Sequence, residues 1–384
     1  MKPEPLQLSR RAILRLGIGG AAGIASASLL SAAARAQDMA PTPHHMGEMN
    51  EMPAMDHSLM SNVLVGSVDH ARNGFDPMDM LVDWDYGTVT GQTADGRPVR
   101  EYDVSAGDIE IEIAPGVFFP AWTYNGRVPG PTIRCREGDH LRVMFENFGS
   151  HPHTMHFHGF HTSDMDGVPG IGRGAIAPGE AFTYEFDADP FGCHLYHCHA
   201  VPLKRHIHKG MYGAFIIDPA EGRPPARELM MIMNAFDTNF DSANEIYAIN
   251  TVGHEFMKRP IPVKVGEPIR IYLINVVEFD LINSFHIHGN FFDYYDHGTT
   301  LTPTLRMVDT IMQAQGQRGI LEFRFRWPGQ YMFHAHVSEF AELGWMGLFN
   351  AVPPEDYPAA LAEAGLDQEW DYRGTHGAEY GSEK

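Results

Sequence analysis

Four His-x-His pairs recur along this chain of 384 residues, and they constrain its fold more than any other feature. Alternate side chains of a β-strand point to the same face, so each pair presents two imidazoles to one side of a strand. Neutral imidazole is a good ligand for copper, iron or zinc, and eight exceed what one metal ion can use. The sequence predicts a β protein with a multinuclear metal site built from His156/His158, His197/His199, His286/His288 and His334/His336.

The second pair encloses a cysteine, Cys198, whose side chain faces the opposite side of the strand. His153 differs in parity from the histidines that follow it, which places it on the same side as Cys198. Two histidines, a thiolate and a weak axial methionine form the ligand set of an electron-transfer copper. We therefore predict a mononuclear copper site at His153, Cys198, His206 and Met211. His208 is the alternative to His206, with poorer spacing to Met211.

Beyond residue 80 the chain is a series of short strand patterns separated by Gly and Pro, such as the alternating Ile109-Glu110-Ile111-Glu112-Ile113. The first helical pattern of any length is at 358–364. Two segments repeat: "TIRCREGDHLRVMFEN" resembles "IPVKVGEPIRIYLIN", and each precedes a His-x-His-Gly. This pattern predicts an all-β protein of two similar sandwich or barrel domains.

The predicted organisation has five parts. They are a twin-arginine signal peptide at 1–36, a Met/His-rich flexible segment at 37–80, the first domain at 81–219, the second at 220–352, and an acidic tail at 353–384 that either packs on a neighbour or stays mobile. The signal rests on Arg10-Arg11 and a small-residue cleavage pattern at 34–36, and it predicts a periplasmic or otherwise exported protein. A membrane anchor is the alternative.

The segment at 39–60 carries six methionines and three histidines but few branched or aromatic residues. Thioether and imidazole groups suit cuprous ions, so we expect metal capture there, with a neutral spacer as the alternative. The formal net charge is −21, and without the first 36 residues it is 23 − 48 = −25. Such acidity disfavours nucleic acid and anionic lipid as partners.

Two further cysteines, Cys135 and Cys193, leave two possibilities open. In an oxidising compartment they could form a disulfide, and otherwise they are buried free thiols. The sequence does not decide between the two.

Four segments together resemble the two-domain multicopper oxidases, which are built from cupredoxin domains with Greek-key topology: "HTMHFHG", "YHCHAVPLKRHIHKGM", "NSFHIHG" and "FHAHVSEFAELGW". The resemblance covers residues 82–352. It implies about four coppers per chain, one of them the type 1 copper at Cys198. It places His156 and His286 on a type 2 copper, and a type 3 pair on His158, His197, His199, His288, His334 and His336. It also implies that O₂ is reduced to water by electrons from a small reducing substrate, either a phenol, an aromatic amine or Cu(I).

The second domain departs from this pattern where a type 1 copper would lie. Asn283 matches His153, Ala335 matches Cys198, and Phe340 and Trp345 stand in place of the remaining ligands. Apolar side chains cannot hold a copper ion, so type 1 copper is expected in the first domain only.

Oxygen reduction also needs protons, and carboxylates are the usual donors. Asp166 resembles the acidic residue near the cluster in related oxidases, and Glu339 and Glu342 are weaker candidates; surface or turn-capping roles are the alternatives. The resemblance further implies a homotrimer, with each cluster between domain one of one subunit and domain two of the next. Two other functions remain in view: a copper-containing nitrite reductase and a non-catalytic periplasmic copper carrier.

Overall fold

The computed structural model describes residues 66–376, and strands dominate it. The strands are β1 Trp84–Asp85, β2 Thr88–Gln92, β3 Pro98–Ala114, β4 Val117–Tyr124, β5 Thr132–Arg136, β6 His140–Asn147, β7 His156–Phe157, β8 Ala181–Asp187, β9 Gly192–His197, β10 Tyr212–Asp218, β11 Arg227–Phe236, β12 Ile246–Ile249, β13 Ile261–Lys264, β14 Ile269–Asn275, β15 Ile282–Ile287, β16 Phe292–Asp296, β17 Leu305–Val308, β18 Thr310–Ala314, β19 Arg318–Phe323, β20 Gly329–His334 and β21 Met346–Val352. The predicted signal peptide at 1–36 and the predicted metal-capture segment at 39–60 lie outside the described residues.

The helices are short, with at most nine residues. They are α1 His70–Asn73, α2 Pro77–Met80, α3 Leu203–His208, α4 Glu255–Lys258, α5 Ser338–Glu342, α6 Tyr357–Glu363 and α7 Gln368–His376, with a 3₁₀ turn at Ser163–Met165. Among residues 66–376, none of these helices is long and apolar enough to span a bilayer.

The strands form two sandwiches, each made of two mixed sheets. In the first, β1-β5-β10-β9-β7 faces β2-β3-β6-β8, and β4 pairs with β3. In the second, β13-β21-β20-β15-β18 faces β12-β11-β14-β19-β16-β17. Non-consecutive strands are neighbours in every sheet, as crossover connections require. The prediction of an all-β fold with two cupredoxin-like domains is confirmed.

A continuous apolar core joins the two sandwiches. Ala214 and Ile216 from β10 pack in one cluster with Met230 and Ile232 from β11. Each domain also has its own core, which in the second domain includes Trp345. Because the shared cluster is buried as deeply as the separate cores, it fixes the two domains relative to each other.

Residues 66–80 belong to the folded part of the chain, which corrects the boundary predicted for the flexible segment. Met78 and Met80 are buried, and Asn73 exchanges hydrogen bonds with the backbone of Glu112 on β3. These contacts also explain why Glu112 is buried although the alternating pattern placed it towards solvent. The sequence could not show this, because the covering segment lies far away in the chain.

The C-terminal segment packs against the same chain as far as residue 376. The Trp370 indole N–H donates to the carbonyl of Met78 at 2.9 Å, and Asp371 pairs with the buried Arg227. Residues 353–376 therefore pack on their own chain, an arrangement that the sequence did not predict.

Cys135 and Cys193 do not form a disulfide in the structure, and both are buried free thiols. Cys135 lies opposite Ile217 on one side of β10, and Cys193 lies opposite Ile216 on the other. Their side chains enter different cores, Cys135 that of the first domain and Cys193 the one shared by both domains. A whole strand therefore separates them, and they cannot pair without rearrangement.

Candidate metal centres

The predicted mononuclear site is assembled in the first domain. One ligand atom from each of His153, Cys198 and His206 lies within 4.8 Å of the others, and all three side chains are buried. The Cys198 Sγ is 3.9 Å from the His153 Nδ1. Met211 is fully buried in the same core, and its carbonyl accepts from the Cys198 N–H at 3.0 Å. The structure brings together all four predicted residues.

His208 points away from this group. Its Nε2 accepts a hydrogen bond from the backbone N–H of Asp237 at 3.1 Å, and its ring packs against Phe119 and Phe279. The spacing of two residues explains the difference, because it corresponds to about 200° around a helix and places His206 and His208 on different faces of α3. His206 is therefore the ligand that the geometry favours.

The chemistry of the first site suits a soft cation. Burial raises the pKa of the Cys198 thiol to about 11, so a thiolate there needs a positive partner. The Thr154 backbone N–H, at 3.3 Å from the Cys198 Sγ, supplies part of that stabilisation. Burial, together with His206, lowers the pKa of His153 to about 3, which keeps its imidazole neutral. Its Nε2 is buried without a hydrogen-bond partner among the described residues.

The eight paired histidines form two groups of four with nearly the same geometry. In the first domain the ring centroid of His156 lies 5.1, 5.1 and 5.4 Å from those of His158, His197 and His199. In the second domain the corresponding distances from His286 to His288, His334 and His336 are 5.0, 5.3 and 5.0 Å. Strand pairing explains this match, because His156 lies opposite His197 and His286 lies opposite His334.

Backbone carbonyls orient four of these rings. The Nδ1 atoms of His156, His197, His286 and His334 contact the carbonyls of Asp166, Cys198, Asp309 and Ala335 at 2.9, 3.0, 2.8 and 2.6 Å. A carbonyl only accepts hydrogen bonds, so each Nδ1 carries the proton and each Nε2 keeps a free lone pair. These four rings are therefore prepared to bind a metal through Nε2.

The remaining contacts within each group are also short. The Nε2 atoms of His158 and His197 lie 3.2 Å apart, and those of His288 and His334 lie 2.9 Å apart. Burial lowers the pKa of His158 to about 2 and that of His197 to about 4, so both imidazoles are neutral near pH 7. Neutral, convergent imidazoles are a donor set that fits copper.

Each group is open on one side. The first is partly exposed, and His288 and His336 of the second are exposed. No ring contact joins the two groups within residues 66–376. Large apolar side chains close in sequence to both groups are exposed: Phe160 and Val201, two residues after His158 and His199, are 67% and 78% exposed, and Phe291, three residues after His288, is 50% exposed. Within the described part of one chain the two groups are therefore separate from each other.

The three predicted acidic residues differ in their surroundings. The Asp166 carboxylate lies 3.1 Å from the Nδ1 of His156 and 3.8 Å from the Nε2 of His161. Glu339 and Glu342 are exposed on α5, and only the backbone carbonyl of Glu342 contacts a histidine, His254. Asp166 is the acid that touches a histidine of the four pairs.

The region of the second domain that corresponds to the thiolate site is packed with apolar groups. Ala335 and Trp345 are fully buried, and Phe340 stacks on Tyr247 with ring centroids 4.0 Å apart. Asn283 is fully buried where the first domain has His153. No thiolate or imidazole occupies these four positions, which leaves no donor set for a soft metal.

Two neighbours of the sites carry no sequence signal that singles them out. Trp122 contacts the rings of both His153 and His206. Arg318 reaches from the second domain to within 3.5 Å of the His158 Nδ1. They come from distant parts of the chain, so only the fold reveals them.

These features define a cupredoxin-type copper protein with one thiolate site and two four-histidine groups. The chain matches the multicopper oxidase family over residues 106–222 and again over 223–355, and it belongs to that family. It is therefore an oxidoreductase that contains copper.

Known relatives share this architecture. A solved multicopper oxidase is 58% identical, with a TM-score of 0.73, and the match covers 74% of this chain and all of that one. The copper-containing nitrite reductase of Neisseria meningitidis serogroup A is 33% identical over 283 residues, which is 66% of this chain and 70% of that protein. Copper resistance protein A of Escherichia coli is 32% identical over 143 residues, or 36% of this chain and 23% of that protein.

Proposed function

We propose that the protein is a laccase-like oxidase that couples one-electron oxidation of a small reducing substrate to four-electron reduction of O₂ to water. The reducing substrate is a phenol, an aromatic amine or Cu(I). Copper, when bound, would supply both the one-electron acceptor and the O₂-reducing centre. The observation that carries this proposal is the matched pair of four-histidine groups, because eight oriented imidazoles suit a cluster of three metal ions rather than one.

The chain's own residues have distinct tasks in this proposal. His153, Cys198, His206 and Met211 would hold the type 1 copper, and burial keeps water away from them. Cys198 lies between His197 and His199, so one tripeptide links the thiolate site to the first four-histidine group. Asp166 orients His156 through its backbone carbonyl, and its carboxylate lies beside the same ring, where it can pass protons.

The separation of the two groups supports assembly as a homotrimer. Each group is half of a site and opens to the surface beside exposed apolar side chains, as an interface between subunits requires. We propose that the first-domain group of one subunit and the second-domain group of the next close together around copper. His156 and His286 would share the type 2 copper, and the other six imidazoles the type 3 pair.

The experiment is steady-state O₂ uptake by the copper-loaded enzyme with a phenol and with Cu(I), measured against the Cys198→Ser variant. The proposal expects O₂ uptake by the wild-type enzyme with at least one donor. It also expects loss of uptake in the variant, which keeps the eight paired histidines but lacks the thiolate. Wild-type enzyme with a full copper load and no uptake with either donor would refute it.

Nitrite reduction is the second candidate, favoured by the identity of 33% to the meningococcal enzyme. The nitrite reductase family has no histidine directly after its type 1 cysteine and an aspartate where His156 stands, so His199 and His156 oppose this candidate. Nitrite consumption under anaerobic conditions, measured on the same preparation, separates the two. Nitrite turnover without O₂ uptake would favour the reductase.

Export to the periplasm through the twin-arginine signal also remains a proposal, as does copper capture by residues 39–60. Deleting residues 37–60 tests the second point, since loss of Cu(I) oxidation with retained phenol oxidation would support copper capture. A pure copper carrier, by contrast, would show no turnover with either donor.

A further inference from the structure

We infer that Trp122 and His151 form the site where the reducing substrate docks and delivers its electron, and that this substrate is a phenol carrying an anionic group. The inference rests on the proposed oxidase function and narrows its substrate class. Three observations carry it: the burial of the type 1 histidines, the contacts of Trp122, and the charges around it.

The histidines of the thiolate site are out of a substrate's reach. His153 is fully buried and His206 is 3% exposed. The His206 Nε2, which would be the outer edge of that imidazole, contacts the carbonyl of Pro152 at 3.3 Å. An electron from a bound substrate must therefore cross a side chain that covers these rings.

Trp122 is the covering side chain. Its ring centroid lies 4.8 Å from that of His206 and 5.4 Å from that of His153. Its backbone N–H donates to the carbonyl of Lys209 at 2.8 Å, which ties β4 to the loop that carries Met211. Trp122 itself is 5% exposed, so it joins the metal ligands to an outer layer rather than to solvent.

His151 forms that outer layer. It is exposed, and its ring lies over Trp122 with centroids 4.5 Å apart. Its Nδ1 is 2.7 Å from the Ser150 hydroxyl, which in turn contacts the Asp108 carboxylate. A carboxylate only accepts, so the Ser150 hydroxyl donates to Asp108 and the His151 Nδ1–H donates to Ser150. The His151 Nε2 is left as a hydrogen-bond acceptor at the surface, which suits a phenolic hydroxyl.

The charges around this layer favour an anion over a metal cation. The Arg205 guanidinium lies 5.3 Å from the Trp122 ring centroid, and the Lys209 ammonium lies 5.9 Å from it. Lys204 is exposed one residue before Arg205. Arg205 and Lys204 are exposed whereas Lys209 is buried, so the two exposed cations outnumber the exposed Asp108 carboxylate that contacts Ser150. Cations repel a cuprous ion, whereas the exposed guanidinium can pair with a carboxylate.

The proposed step balances for each substrate molecule. The phenol O–H breaks, the proton leaves to the surrounding water, and one electron leaves through Trp122, so the phenol becomes a phenoxyl radical. A type 1 copper(II) held by His153, Cys198 and His206 would be the one-electron oxidant and would be reduced to copper(I). Four such oxidations match the four electrons that one O₂ consumes.

The test is stopped-flow reduction of the oxidised holoenzyme without O₂, followed by bleaching of its type 1 absorption. The phenol is 4-hydroxy-3,5-dimethoxybenzoate, and its uncharged primary amide is the control substrate. Trp122→Leu should slow bleaching by about tenfold or more at saturating phenol, and Trp122→Phe should restore most of the rate. The type 1 spectrum and reduction potential of each variant are measured first, because an intact site shows that the change lies in electron delivery.

Binding is measured separately by calorimetry on the fully reduced holoenzyme. Arg205→Gln should weaken binding of the carboxylate by about threefold and leave binding of the amide unchanged. His151→Gln should raise the dissociation constant of both ligands, whereas His140→Gln, at a half-buried position, should raise neither. His140 lies in a separate ion-pair group with Glu185 and Asp187.

Unchanged bleaching in both Trp122→Leu and His151→Gln would overturn the inference, as would equal binding of the carboxylate and the amide by wild-type enzyme. If Trp122→Leu fails to load copper, the decision rests on the His151→Gln and Arg205→Gln results. Bleaching requires no O₂, so the two proposals can fail separately. If bleaching depends on Trp122 but the enzyme consumes no O₂, the docking site stands and only the proposed oxidase function is refuted.

Discussion

Cys198 and Ala335 occupy equivalent places in the two domains, because each donates its backbone N–H to the third residue after a short helix. The Cys198 N–H donates to the Met211 carbonyl at 3.0 Å, and the Ala335 N–H donates to the Trp345 carbonyl at 3.1 Å. The next residue in each case donates to a side-chain hydroxyl at 2.8 Å, His199 to Thr154 and His336 to Ser284. The two domains thus share one frame, and only the first has a thiol in it.

Ala335→Cys should not create a second thiolate copper site. The new thiol would lie among Phe285, Phe333 and Trp345, with no imidazole from the Phe340 or Asn283 positions. We expect unchanged copper content and one type 1 absorption band per chain. The measurement is metal analysis with visible absorption, and Cys198→Ala, which should lose that band, is the control. A second thiolate-copper band in Ala335→Cys would contradict the account.

Asp166→Asn should slow O₂ turnover without removing the type 1 absorption. The variant keeps the backbone carbonyl that orients His156 but loses the carboxylate 3.1 Å from its ring. Loss of one proton-transfer group costs about 10²-fold or more in turnover. The check is O₂ uptake together with the visible spectrum. Glu339→Gln, at an exposed position on α5, is the matched control and should change turnover little. Equal turnover in Asp166→Asn and wild type would end the assignment.

The buried ion pairs between the domains should be costly to break. Arg134 of the first domain is fully buried and contacts Asp218 at 2.7 Å and Glu228 of the second domain at 2.8 Å. Arg134→Met leaves two buried carboxylates with one cation fewer, so we expect a loss of about 3–5 kcal/mol in the free energy of unfolding. Urea unfolding of wild type and variant measures this difference in free energy. The Arg142 side chain is 38% exposed in its ion pair with Glu101, so Arg142→Met should lower the free energy of unfolding by less than about 1 kcal/mol. Similar losses for both variants would contradict the assigned role of Arg134.

The contact between His70 and Glu255 should stabilise the fold at acidic pH. Burial lowers the pKa of His70, but the hydrogen bond and charge of Glu255 outweigh this and raise it above its usual value. A raised pKa contributes stability that is fully present below the unfolded pKa, near 6.5, and is lost as pH rises through the folded value. His70→Gln should therefore destabilise by up to about 1 kcal/mol at about pH 5.5 and by less at about pH 9. Unfolding curves at the two pH values check it, and in a Glu255→Gln background the effect should disappear. A larger loss of stability in His70→Gln at high pH than at low pH would contradict this role of the contact.

The sequence predicted the parts of this protein that depend on local periodicity. The alternating pattern around Ile111 lies in a strand, β3, as expected. Strand parity also sorted Cys198 from His197 and His199 correctly, because two-residue periodicity is a property of the backbone itself. The spacing of His206 to Met211 was sufficient to prefer it over His208.

Features that depend on distant contacts could not be predicted in this way. The burial of Glu112 under residues 66–80, the anchoring of Trp370 on Met78 and the position of Trp122 over two metal-site histidines all join segments far apart in the chain. The two free cysteines belong to the same class, because only the fold places a strand between Cys135 and Cys193. Composition and periodicity contain no information about such pairings.

Copper content combined with quantitative EPR tests the central claim most directly, since it counts the sites that the histidine groups would form. The account predicts about four coppers per chain, of which about two are EPR-active and two are silent as a coupled pair. About two coppers per chain, both EPR-active, would contradict it and would favour the nitrite reductase alternative.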